Sequence, residues 1–92
     1  MSDQNALQPA VVVVGASRGI GRAMAKVAAR DRSTVVLVAR SPEALAAAAT
    51  DVRDAGGVAL SLELDLVGAS ASAHLENFLS ANGLYCDRSY RV

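Results

Sequence analysis

The run Ala10-Val11-Val12-Val13-Val14-Gly15-Ala16-Ser17-Arg18-Gly19-Ile20-Gly21 passes from a β-branched apolar stretch directly into a loop spaced by three glycines. Pro9 stands before the stretch and Gly15 closes it, the pattern of a short strand buried on both faces. Downstream, Ile20, Ala23, Met24, Val27 and Ala28 recur at i, i+3, i+4, i+7 and i+8, so residues 20–30 are expected to form a helix with one apolar stripe. Strand, glycine loop and helix in that order define a β-α unit, and the rest of the chain repeats it.

Residues 34–39 give a second continuous apolar strand through Val35, Val36, Leu37 and Val38. Ser41-Pro42 supplies an N-cap and an N1 proline for a second helix, filled by residues 44–49 and closed at Gly56-Gly57. Residues 58–66 alternate, with Leu60, Leu62, Leu64 and Leu66 on one face and Ala59, Ser61, Glu63 and Asp65 on the other, which predicts a half-covered edge strand. A third helix is expected over residues 70–80, ended by Asn82-Gly83. The fold class is therefore α/β, a Rossmann-type three-layer fold with a parallel sheet, incomplete at about three β-α units. Residues 1–9 read as a polar leader, 10–85 as the N-terminal part of a dinucleotide-binding domain, and 86–92 as an atypical tail where a fourth strand is due.

Composition narrows the classes further. With 92 residues there is room for one domain, and 52% apolar content excludes a disordered tail. Much of that content is Ala, so the core is thin and stability is expected to be marginal. Nine basic and nine acidic residues give no net charge, which argues against nucleic acid. The balance conceals an asymmetry: six basic and three acidic residues fall in the first 50, three and six in the remainder. Arg18, Arg22, Lys26 and Arg30 stack as a basic stripe, read mainly as a solvated face with an anionic ligand taking part of it. Cys86 is the single cysteine, no His/Cys cluster has metal-ligand spacing, and no apolar run approaches a membrane span. A cytoplasmic protein is expected.

The loop Gly15-Ala16-Ser17-Arg18-Gly19-Ile20-Gly21 can be tested against two phosphate-binding patterns. A P-loop needs Gly-Lys followed by Ser or Thr, which Ile20 and Gly21 do not supply, and G-x-G-x-x-G fails at Met24. What remains is a longer-loop form of the same device, in which orphan N–H groups at a helix N-terminus attract a pyrophosphate. Gly15 would make the tight turn, Gly19 would admit the phosphates, and Gly21 would let the helix pack on the sheet. The bland alternative is a glycine turn with no ligand.

At this point the sequence resembles the short-chain dehydrogenase/reductases, whose cofactor loop Thr-Gly-x-x-x-Gly-x-Gly often reads G-A-S-R-G-I-G. The resemblance covers residues 10–85 and departs at Val14, where the family usually has Thr. It implies cofactor contacts from Gly15, Ser17, Arg18, Gly19, Ile20, Gly21, Arg40, Ser41, Asp65 and Leu66. Arg40 follows the second strand, where an Asp or Glu would accept from a ribose 2′-OH and favour NAD. With Arg18 it matches the family's NADP pattern, two guanidiniums flanking a 2′-phosphate, so NADP is expected in preference to NAD. The competing reading is two solvated arginines. Asp65, with Leu66, falls at the family's adenine-contacting position, although a plain strand-end acid fits nearly as well.

The family's catalytic Tyr with Lys four residues on is missing. Lys26 is the only lysine, Tyr85 is followed by Ser89, and Tyr90 has two residues after it. His74 and Cys86 are read as a surface helix residue and a buried or idle thiol. The resemblance thus implies the NADP-binding N-terminal fragment of an oxidoreductase, transferring hydride between NADP(H) and a carbonyl or alcohol, with the catalytic half absent and no activity alone. The alternatives are a non-enzymatic nucleotide-binding module and a non-functional truncated product. Without a fourth strand, strand one would lie at an edge despite a central-strand sequence, and self-association through that edge is expected.

Overall fold

The computed structural model describes residues 7–15, 23, 26–27, 34–64 and 70–91. It contains strands β1 (Gln8–Val14), β2 (Thr34–Ala39), β3 (Val58–Glu63) and β4 (Leu84–Arg91), with helix α1 (Pro42–Asp54) between β2 and β3 and helix α2 (Ser70–Ala81) between β3 and β4. All neighbouring strands pair parallel, in the order β3-β2-β1-β4. The fold is the incomplete Rossmann-type α/β sheet that the periodicities predict.

Each side of the sheet carries its own apolar cluster, and the period-2 alternation of the strands sorts residues between them. Val11, Val13, Val35, Leu37, Ala39 and Ala59 meet Leu45, Ala48, Ala49 and Val52 of α1 on one face. Those helix residues lie at i, i+3, i+4 and i+7, one stripe. On the other face Ala10, Val12, Val14, Val36 and Val38 meet Leu79 of α2 and Leu84, with Leu60, Leu62, Leu64, Leu75 and Phe78 at its rim. β1 and β2 are buried on both sides because every residue from Val11 to Val14 and Val35 to Val38 is apolar. Each such Val contributes roughly 1.5–3 kcal/mol.

Local signals fix the ends of α1. The Ser41 side-chain oxygen accepts a hydrogen bond from the Ala44 N–H at 3.2 Å, and Pro42 opens the first turn. At the other end Gly56 adopts φ +95°, the Gly56 N–H donates to Arg53 O and the Gly57 N–H to Val52 O, a Schellman motif. β3 is an edge, and its Leu60 and Leu62 are only half buried, as the alternating pattern requires.

Two expectations need correction. The sequence reading ends the paired strands before residue 86, but Leu84–Arg91 forms β4 alongside β1 over its whole length. Strand one therefore has two neighbours, and the open edge on which self-association was expected does not exist. The pairing survives the polar sequence because an edge strand needs little apolar content, and because an irregularity between Ala10 and Val11 leaves Asp87 as an extra residue. That bulge brings Tyr90 opposite Val13, where it packs on the α1-side cluster.

The second correction concerns the helix expected over residues 20–30. Ala23, Lys26 and Val27 are helical and all exposed, Val27 by 59%. At i, i+3 and i+4 they share one face, and the Lys26 ammonium, costly to bury, turns that face outward. The stripe drawn through Ala23 and Val27 is therefore not buried at those two residues. Lys26 does lie on a solvated face, while Arg18, Arg22 and Arg30 fall outside the described residues.

Candidate functional site at the carboxyl edge of the sheet

In a parallel sheet all strands point the same way, so the loops that follow them gather at one edge, where open α/β folds bind ligands. Backbone hydrogen bonds hold the strand ends level here. The Gly15 N–H donates to Val38 O at 2.8 Å, tying the exit of β1 to β2, and the Leu64 N–H donates to Ala39 O at 2.9 Å, tying the exit of β3 to the same strand. On the other side Val14 is level with Arg91 of β4.

Gly15 leaves β1 at φ +86°, a left-handed conformation that a Cβ would strain. This is a tight turn out of β1, as the sequence reading expects at Gly15. Val14 is buried and carries no hydroxyl, so the Gly15–Val38 hydrogen bond is what fixes the loop's starting point among the described residues.

Arg40 is the first residue beyond β2, exposed, and free of any ion pair among the described residues. Ser41 is half-buried, and its oxygen is engaged as the α1 cap. Of the ten residues expected to contact a cofactor, Gly15, Arg40 and Ser41 are described and stand on one edge of the sheet. Ser17, Arg18, Gly19, Ile20, Gly21, Asp65 and Leu66 lie outside the described residues.

Lys26 is exposed on its helical segment, and Tyr85 and Tyr90 both stand on β4. Tyr90 is packed against the core cluster rather than presented to the edge. Among the described residues no group of three His, Cys, Asp or Glu could hold a metal ion, and no helix is long and apolar enough to cross a membrane.

Comparison with known proteins agrees with this geometry. The short chain dehydrogenase family profile matches residues 9–81, so the chain belongs to the short-chain dehydrogenase family. It is 41% identical over 56 residues to the ketoacyl reductase HetN of Nostoc sp., covering 61% of this chain and 20% of that protein. A metagenomic short-chain oxidoreductase solved in complex with NADP superposes with a TM-score of 0.81 at 36% identity, over 92% of this chain and 38% of that one. An NAD+-bound xylitol dehydrogenase superposes with a TM-score of 0.71 at 27% identity, over 82% and 28%. The chain thus spans 20% of the curated relative and 28–38% of the two solved ones. It is related to oxidoreductases that bind nicotinamide dinucleotides.

Proposed function

We propose that this chain binds NADP(H) at the carboxyl edge of its sheet, as the cofactor-binding N-terminal part of a reductase that exchanges hydride between NADP(H) and a carbonyl or alcohol. The observation that carries the reading is Arg40, an exposed guanidinium at the end of β2, where an acid would favour NAD. The positive φ of Gly15 and the level strand ends fit a dinucleotide laid across the edge. The NADP complex of the 36%-identical oxidoreductase supports the same choice.

The residues divide the work by position. Gly15 turns the chain so that following N–H groups of the loop can donate to phosphate, and Arg18 and Arg40 hold the 2′-phosphate by charge-assisted bonds. Ser41 caps α1 through its oxygen and donates its hydroxyl proton toward the same phosphate. Ser17, Gly19, Ile20 and Gly21 line the pyrophosphate, and Asp65 with Leu66 borders the adenine. Bound nicotinamide would supply the hydride.

A second reading has its own observation. The 92 residues contain one lysine and no Tyr-x-x-x-Lys, the pair that the family uses to move the proton accompanying hydride transfer. The chain would then act as a nucleotide-binding module without turnover. Titration of the purified chain with NADP and NAD, followed by calorimetry, tests the shared part of both readings. NADP is expected to bind the more tightly, and binding of neither nucleotide would refute both. Turnover of a carbonyl substrate by this chain alone would refute the module.

A further inference from the structure

The sheet has two outer strands, and they are finished differently. β4 carries the devices that blunt an edge, a bulge at Asp87 and the exposed charges of Asp87 and Arg88. β3 has neither. Its register with β2 runs unbroken from Val58 to Glu63, and Glu63 at its end is its one charged residue. Among the described residues β3 has a single neighbour, β2. Val58 is 55% exposed, and Leu60, Leu62 and Leu64, in line with it on the α2 side of the sheet, are only half buried. A regular edge with so little charge is a template for another strand.

Backbone phase and side-chain pattern select the same partner. The Leu64 N–H donates to Ala39 O of β2, so by the alternation of a parallel ladder Leu62 and Leu60 also turn their backbone groups toward β2. The outward N–H and C=O groups are then those of Ala59, Ser61 and Glu63. An antiparallel strand of the same sequence meets all of them when Ser61 lies opposite the second copy's Ser61. Ala59 then faces the second copy's Glu63 and Glu63 its Ala59, and every such pair exchanges both of its hydrogen bonds. The intervening pairs, whose side chains approach more closely, are apolar throughout: Leu60 against the second copy's Leu62, and Val58 against its Leu64. Glu63 meets an alanine and not its own symmetry mate. A shift of two residues either way leaves one hydrogen-bonded pair unmade, and a shift of one sets the apolar side chains on opposite faces.

We propose that the chain self-associates as a two-fold dimer through β3, joining two four-stranded sheets into one. The axis passes through the Ser61 pair and closes the contact, so assembly stops at two copies. Addition of β3 to β4 of a further copy would propagate without end, and the bulge and charges at Asp87 and Arg88 oppose it. Dimerisation of this kind needs no nucleotide.

The test is sedimentation equilibrium of the full chain over a dilution series without nucleotide. The contact is small and rests on main-chain bonds, so a dissociation constant on the order of 10 µM is expected, the mass rising from one chain to two and no further. Ser61→Pro deletes an outward N–H that β2 does not use, and should weaken the dimer about tenfold while the urea midpoint holds. Ser61→Lys sets two ammonium groups against each other on the axis, should weaken it about fivefold, and carries the test if the proline variant fails to fold. Ser89→Lys places the same charge on exposed β4 and should leave the dimer intact. With Cys86→Ser removing the native thiol, Ser61→Cys should oxidise to a covalent dimer, its paired Cα atoms about 5.5 Å apart. Glu63→Cys, about 14 Å from its mate, should not. A mass of one chain at every concentration, growth past two chains, a dimer that withstands Ser61→Lys or is lost in Ser89→Lys, or equal cross-linking by Glu63→Cys would overturn the proposal.

Discussion

Replacing Ala10 with Cys sets a thiol opposite Cys86 across the β1/β4 pairing. Paired residues on adjacent strands stand about 4.8 Å apart at Cα, within the 4.4–6.8 Å or so that a disulfide spans. Cys86 is the chain's single cysteine and is exposed, so the cross-link has one partner to choose. Closing a loop of roughly 76 residues removes about 4.5 kcal/mol of unfolded-chain entropy in the loop-closure model, and native strain brings the expected net gain to about 2–4 kcal/mol. Fitting the sulfur at buried Ala10 costs about 1 kcal/mol in the reduced form. Mild oxidation of Ala10→Cys should therefore abolish both titratable thiols without dimer formation. It should also raise the urea midpoint by roughly 2–4 M over the reduced form, at an m-value near 1 kcal/mol/M. The control is Val12→Cys, whose register partner is Ser89. Its distance from Cys86 is about 8 Å, beyond disulfide reach. Failure of the first to cross-link while folded, or equal cross-linking by the second, would refute the β4 pairing.

Among the described residues Leu37 is the largest fully buried side chain, and it lies on the α1-side cluster. Leu37→Ala should cost about 3–4 kcal/mol by urea denaturation, a large share of the roughly 5–14 kcal/mol that a domain this size has. A loss below about 1 kcal/mol would contradict the packing. Ser41→Ala removes the α1 cap and should cost about 1 kcal/mol, which thermal unfolding would register as a melting point lower by several degrees.

What could be read from the sequence follows burial. β2 is legible with its observed limits, because Val35, Val36, Leu37 and Val38 are apolar on both faces and only a central parallel strand requires that. The limits of α1 were legible from Ser41, Pro42 and Gly56, whose chemistry acts within one turn. β4 left no such trace. Its residues are mostly exposed, an extra residue at Asp87 breaks their alternation, and the partner that organises them begins 76 positions earlier in the register Ala10–Cys86. The candidate site divides the same way. Gly15 and Arg40 sit at element boundaries that their own neighbours define, whereas the level of β4 beside them is set only through long-range pairing. Val27 failed for a further reason: periodicity ranks faces by apolar content, and the charge of Lys26 beside it reversed the ranking.

The central claim is that Arg40 selects NADP by reading its 2′-phosphate. The most direct measurement is the ratio of NADP to NAD affinity in the unmodified chain and in Arg40→Asp. The account predicts a ratio well above one that falls about tenfold or more in the variant, with NAD affinity held or improved as the new carboxylate accepts from the ribose. An unmodified chain that prefers NAD, or a ratio that Arg40→Asp leaves unchanged, would contradict it.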